Sequence, residues 1–296
     1  MNATLGYLGL GNMGQPMATR LVDAGHTVVV RDINGAATEP LIERQVKVAT
    51  SGRDLADNSE IIVCSLPSNK IIREAVLGAE GLIEGDKMRV FVNACTTGSP
   101  FAEEMNEALA AKGVTYFDAP ISGGPAGARD GTLSVMTSGP KEIYDEIEPY
   151  LRAYGTTLVY CGEKPGLAQV LKLANNMLFA SNIMVTSEVM AMGVKAGLDA
   201  ETMITAISAG SGRNSSIDMI MPRSVMPRTF DFGATIDILM KDVNLALEEG
   251  EAQGVPQPVS QQTRQLMLLA MHRGWAQKDL SELAKLVEEW SGTEIK

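Results

Sequence analysis

Several kinds of chemistry-bearing residue are scarce in this chain. It has only two histidines, His26 and His272, and three cysteines, Cys64, Cys95 and Cys161. Neither histidine lies in a readable motif, and the cysteine spacings are far too wide for a metal knuckle. Metal-ligand sets and Cys/His nucleophiles are therefore not expected. The cysteines read as small buried hydrophobes of a reducing compartment. Positive charge is also short, with 25 Lys and Arg against 36 Asp and Glu, a net charge of −11. No basic run offsets it, so neither nucleic acid nor an anionic membrane surface is an expected partner. No apolar run is read as approaching the ~20 residues that span a bilayer. The N-terminus lacks the basic and apolar regions of a secretory signal, and a cytoplasmic location is expected. Internal repeats and low-complexity segments are missing too.

What is present is the balance of a globular protein: 45% hydrophobic and 21% charged residues over 296 positions. That is enough for one large or two ordinary domains. The first half alternates short apolar runs with amphipathic segments. TLGYLGL (4–10), TVVVRD (27–32), KVA (47–49), EIIVCSL (60–66), MRVFVNA (88–94) and VTYFDAP (114–120) read as strands. TLSVMTSG (132–139) and TTLVYCG (156–162) read as two more. Continuous apolar strands alternating with helices imply a parallel sheet covered on both faces. After Gly162 the pattern becomes helical, beginning with a long stretch from about Gly166 to Lys195. Further helices are expected near 200–208, 238–253, 258–272 and 279–291. The expected architecture is an α/β domain over 1–163 and an all-α domain over 164–296, joined by the long helix. The stretch 211–233 is long for an uncovered loop and reads as a functional or partly helical connection.

Gly9, Gly11 and Gly14 fit the pattern G-x-G-x-x-G, which is weak alone and gains meaning from its context. It follows an apolar strand and opens a helix. The first glycine permits the tight turn, the second the approach of phosphates, and the third close helix packing. Gly9-Leu10-Gly11-Asn12-Met13-Gly14 thereby becomes a candidate pyrophosphate turn at a helix N-terminus. Asp32 ends the next strand, where a carboxylate would accept from ribose hydroxyls and repel a 2′-phosphate. NAD is the expected cofactor, with NADP the alternative because of neighbouring Arg31. Leu66-Pro67 leaves the sheet at the strand ends where cofactors bind.

Three later stretches carry candidate chemistry, each with a plainer reading beside it. Ser122-Gly123-Gly124, in DAPISGG, offers a hydroxyl and unobstructed backbone N–H groups for a carboxylate, or is a tight connection only. Lys172, Asn175, Asn176 and Phe179 fall on one helical face by spacing. That combination is odd for a core, though an unusual solvated face would also carry it. Lys241-Asp242 reads as a functional pair or as an exposed one. Arg213, in SGRNSS, is a candidate for a substrate anion or an ordinary surface arginine.

With these stretches in order, the chain resembles the β-hydroxyacid dehydrogenase family, which includes 3-hydroxyisobutyrate dehydrogenase and tartronate semialdehyde reductase. The 6-phosphogluconate dehydrogenases are more distant members. The resemblance runs from Gly6 to about Trp290. It implies a Rossmann-like domain, a helical domain and a homodimer or homotetramer. It implies Lys172 as the catalytic lysine and Asn176 as the substrate-orienting asparagine. Ser122, Gly123 and Gly124 would take the carboxylate, with Asn175 beside them. Thr96 would lie by the nicotinamide and substrate, and Lys241 would reach the cofactor. Two positions depart from the family pattern. Ala168 replaces a glycine ahead of the lysine, and Asn93 stands where an aspartate is usual. The implied reaction is hydride transfer between nicotinamide and a small β-hydroxyacid or its semialdehyde. Lys172 would be the acid–base, neutral when it takes the alcohol proton. A noncatalytic dinucleotide-binding sensor or scaffold is the rival reading, and an imine reductase a third.

Overall fold

The computed structural model describes residues 3–296. Its main sheet has six strands in the order β3-β2-β1-β4-β5-β6. In chain order they are β1 (Leu5–Leu8), β2 (Val28–Arg31), β3 (Lys47–Val48), β4 (Ile61–Cys64), β5 (Val90–Asn93) and β6 (Thr115–Asp118). All neighbours pair in parallel, with Tyr7 facing both Val30 and Val63, for example. Side-chain alternation explains why the central strands β1 and β4 are apolar throughout. Leu5, Tyr7, Val28, Val30, Ile61, Val63, Val90 and Val92 enter the core on one face. Leu8, Val29, Ile62, Cys64 and Phe91 enter the core on the other. Helices Gly14–Asp23, Gly52–Asn58, Asn69–Leu77 and Ser99–Ala110 follow β1, β3, β4 and β5. The order reverses between β1 and β4, which is the place where open α/β sheets take ligands at their strand carboxyl ends.

The later strands correct one expectation. β7 (Ile121–Ser122), β8 (Leu133–Thr137) and β9 (Gly155–Tyr160) form a separate three-stranded sheet, not an extension of the first. β7 runs antiparallel to β8, and β8 parallel to β9. This sheet is not covered on both faces: β9 exposes Thr156, Thr157 and Val159 to solvent. Two β-branched threonines and a valine suit a half-buried pleat, which apolar content alone does not separate from a covered strand.

The remainder is helical. Leu167–Lys195 forms one helix of 29 residues. Ala200–Ala209, Ile236–Ala252, Pro258–His272 and Leu283–Ser291 follow. Within 211–233, Ser216–Val225 is a π-helix, and it contains Pro222, which has no N–H to give an α-helical ladder. The helices share a methionine-rich core that includes Met177, Met184, Met190, Met221, Met240 and Met267. Compact contacts divide the chain into a unit ending at Lys172 and a unit from Leu173 to Lys296. The parting falls inside the long helix.

That helix overturns the reading that no segment is long enough for a bilayer. By length and composition it qualifies, with a window of mean hydropathy 1.4, but 50% of that window is buried inside the protein. Core-facing residues such as Leu173, Ala180, Ile183 and Met190 supply part of the apolarity, and exposed Leu178, Val185 and Met192 add to it.

Candidate functional site

The glycine turn takes its shape from contacts that tolerate no side chain. Gly9 has φ +91°, and a Cβ there would lie 2.4 Å from the Ser65 carbonyl oxygen. At Gly14 a Cβ would lie 1.9 Å from the Gly9 carbonyl oxygen. Glycine at 9 therefore lets the turn pack against the segment leaving β4, and glycine at 14 lets the first helix pack against the turn. Gly11 is different, because the space its Cβ would occupy is open. No side chain caps the start of the Gly14–Asp23 helix, whose N-cap residue is Met13. The turn thus presents helix N–H groups and a bare Cα to a cleft of about 670 Å³. Leu10, Gly11, Asn12, Asp32, Pro125 and Arg129 are among its lining residues.

Asp32 is oriented within this cleft. Its Oδ2 accepts from Leu10 N at 2.6 Å and its Oδ1 from Asn34 N at 2.8 Å. A carboxylate has about four acceptor sites, so two remain for ribose hydroxyls. Arg31 donates to the Asp32 carbonyl oxygen. An uncapped helix start, open space at Gly11 and an oriented carboxylate fit a dinucleotide. Arg129 escaped the sequence reading. Its guanidinium is exposed on the cleft, and its only signal was a basic residue shortly after the Ser122 turn.

Other candidates lie beyond the carboxyl ends of the strands. Leu66 follows β4, and its N–H donates to Cys95 Sγ at 3.1 Å. Pro67 comes next in the loop. Half-buried Thr96 follows β5, between Cys95 and buried Thr97. Ser122 ends β7, and Gly123 and Gly124 have φ +131° and +65°, the shape of a tight turn into the helix Gly124–Asp130.

Lys172 is only 7% exposed. The residues just ahead of it on the helix are held by a buried hydrogen-bond network. Asp118, at the end of β6, accepts from Tyr116 Oη at 2.7 Å, Gln169 Nε2 at 2.8 Å, Gly166 N at 2.7 Å and Ser138 Oγ at 3.2 Å. Burial pushes the Asp118 carboxyl above its ordinary value, while these donors, led by Gln169, pull it back. Asn93 donates to Tyr116 Oη at 2.9 Å and to Thr97 Oγ1 at 3.1 Å. An ionised aspartate there could donate to neither.

Further along the helix the expected common face divides. Asn176 is 9% exposed, while Asn175 faces solvent and donates to Asn176 Oδ1 at 3.0 Å. Phe179 is half-buried against Phe232. In the second unit, Asn176 Nδ2 donates to Asp242 Oδ2 at 2.6 Å, and Lys241 Nζ lies 2.9 Å from Asp242 Oδ1. Lys241-Asp242 is therefore more than an exposed pair: Asp242 is buried and fixes an amide. Arg213 is mostly exposed, and its Nε donates to Asp218 at 2.8 Å. An anion would have to compete with that carboxylate.

Comparison with known proteins gives this arrangement a lineage. Residues 4–162 match the family described as the NAD binding domain of 6-phosphogluconate dehydrogenase. Residues 166–287 match the NAD-binding domain of NADP-dependent 3-hydroxyisobutyrate dehydrogenase. The chain is 34% identical to a 3-hydroxyisobutyrate dehydrogenase of Pseudomonas aeruginosa, over 95% of this chain and 97% of that one. It is 31% identical to a 2-(hydroxymethyl)glutarate dehydrogenase of Eubacterium barkeri, over 98% and 97%. The solved structure of a Mycobacterium tuberculosis 3-hydroxyisobutyrate dehydrogenase with L-serine superposes with a TM-score of 0.89 at 26% identity, covering 97% of this chain and 99% of that one. The glycine turn, the DAPISGG stretch and the helix bearing Lys172 thus stand in a chain that belongs to the β-hydroxyacid dehydrogenase family of NAD(P)-dependent oxidoreductases.

Proposed function

We propose that the chain interconverts a short β-hydroxyacid of the 3-hydroxyisobutyrate type and its semialdehyde, with Lys172 as general acid–base and NAD preferred to NADP. The observation that carries this reading is the burial of Lys172 to 7% exposure, within the same unit as the glycine cleft. Lysine is almost never so buried unless it is paired. When bound, the nicotinamide supplies the hydride acceptor or donor. The chain's own residues do the rest. The Lys172 amine takes the hydroxyl proton in oxidation and returns it in reduction. Asn176, one helical turn on and fixed by Asp242, presents its amide to the same hydroxyl. Ser122, Gly123 and Gly124 hold the substrate carboxylate, with Asn175 at the margin, so that the substrate is oriented before proton transfer. Thr96 borders substrate and cofactor. Leu66, Pro67 and Lys241 contact the cofactor.

Asp32 supports the NAD preference, since a 2′-phosphate would meet a carboxylate already oriented by two N–H groups. A homodimer or homotetramer is part of the same reading. Leu178, Val185 and Met192 repeat every seven residues along the long helix, and all three are exposed, Met192 at 67%. The reduced thiols of Cys64, Cys95 and Cys161 support a cytoplasmic setting.

Lys172→Ala is the test. It should lower kcat by about 10²-fold or more, with NADH affinity largely retained. A variant keeping above roughly a tenth of the wild-type rate would remove the base assignment. A screen of short hydroxyacids, hydroxysulfonates and serine with NAD and with NADP would fix the substrate. Failure to reduce either nucleotide with any of them would favour a noncatalytic nucleotide sensor.

A further inference from the structure

The first unit contains a buried polar network that the reaction outlined above does not use. Its centre is Asp118, fully buried at the carboxyl end of β6. A buried carboxylate is costly unless fully engaged, and this one is engaged mainly with the start of the long helix. Oδ2 accepts directly from Gly166 N, and the Ser138 hydroxyl that donates to it accepts in turn from Ala168 N at 3.0 Å. Two backbone N–H groups at the helix start are thus tied to one anion, the sign a helix N-terminus favours.

Gln169 adds a second tie. Its Nε2 donates to Asp118 Oδ1 at 2.8 Å and to the Cys95 carbonyl at 3.1 Å. Its Oε1 accepts from Thr97 N at 2.9 Å. Both amide protons and the carbonyl of this side chain are spent, and the residue is wholly buried. The two backbone groups it holds lie on either side of Thr96. Lys172 stands three residues further along the helix, adjacent to Gln169 on its surface. The helix start cannot turn or slide without breaking these bonds, and the Thr96 segment cannot shift independently.

We propose that Asp118 and Gln169 form a positioning pair, which fixes the Lys172 amine and the Thr96 segment relative to one another. Neither side chain touches substrate; both act through Lys172. The inference rests on the acid–base reading of Lys172, and the experiment separates the two.

Gln169→Leu keeps the bulk and removes all three bonds. Asp118→Asn keeps the shape and sets an amide against the Gln169 amide. Each is measured alone and combined with Lys172→Ala, following kcat, KM, NADH affinity by fluorescence, and melting temperature. Gln169→Leu should lower kcat by roughly 10- to 100-fold, the scale of a small misplacement of a reacting group, with KM changed far less. In the Lys172→Ala background it should cost no more than about threefold, because a residue acting through the amine has nothing left to position. A purely structural role predicts penalties that multiply, and that result would overturn the proposal. So would a Gln169→Leu enzyme at full kcat beside a crippled Lys172→Ala enzyme, which leaves the acid–base reading intact. A Lys172→Ala enzyme at full rate would overturn both. Should Gln169→Leu fail to fold, Asp118→Asn takes its place, and failure of both to fold would mark the network as structural only.

Discussion

Asn93 shows how one amide sets the protonation of its neighbourhood. Its Nδ2 donates to Tyr116 Oη, which leaves the tyrosine proton for Asp118. In Asn93→Asp, two buried carboxylates would face one phenolic proton. One of them must then hold a proton in the fold, so its folded pKa rises above its unfolded value. A group raised in this way contributes stability below its unfolded pKa and loses it as pH rises through the folded one. Asn93→Asp should therefore be nearly as stable as the parent near pH 4.5 and less stable by roughly 1–3 kcal/mol at pH 8. Thermal melts at both pH values would show this, and an equal deficit at both would refute it. Asp32 gives a second prediction of this kind. Asp32→Ala should weaken NAD binding about tenfold, the value of one charge-assisted hydrogen bond, and NADP binding less. Titration with both nucleotides reads the ratio, and an unchanged ratio would mean that discrimination lies elsewhere.

Among the elements, the start of the long helix is the most closely fastened. Ala168 there is wholly buried, and its N–H reaches Ser138. Ala168→Gly would loosen this turn by about 0.5–1 kcal/mol, because glycine has more freedom to lose on folding. A fall of a few degrees in melting temperature is expected, and kcat should stay near wild type while the side-chain ties hold. A large loss of kcat would show that the alanine methyl itself shapes the site. The glycine turn and Asp32 were legible in sequence because their logic is local: a strand, a turn, a helix and a second strand. The fastening of the helix start was not, because Asp118 and Gln169 are 51 residues apart and Thr97 and Gln169 are 72 apart. Nothing in either neighbourhood names the other. The separate sheet of β7, β8 and β9 was missed for a related reason, since apolar runs reveal strands but not which sheet they join. Asn175 was grouped with Lys172 and Asn176 by spacing alone, and a helical stripe one residue too wide reaches solvent.

For the molecule as a whole, the seven-residue repeat of Leu178, Val185 and Met192 carries the expectation of self-association. Leu178→Glu combined with Met192→Glu should lower the mass measured by light scattering, because burying two carboxylates against a second apolar row is prohibitive. An unchanged mass would move the interface to another face.

The boundary between the two units has a further consequence. It falls at Lys172, within continuous helix, and the lysine side chain is shielded. Proteolytic enzymes need an unwound, accessible strand of several residues, and the junction offers none. Brief trypsin digestion of the native protein should therefore spare the bond after Lys172, and the two halves should not be released as separate fragments. The chain passes from one unit to the next as unbroken helix.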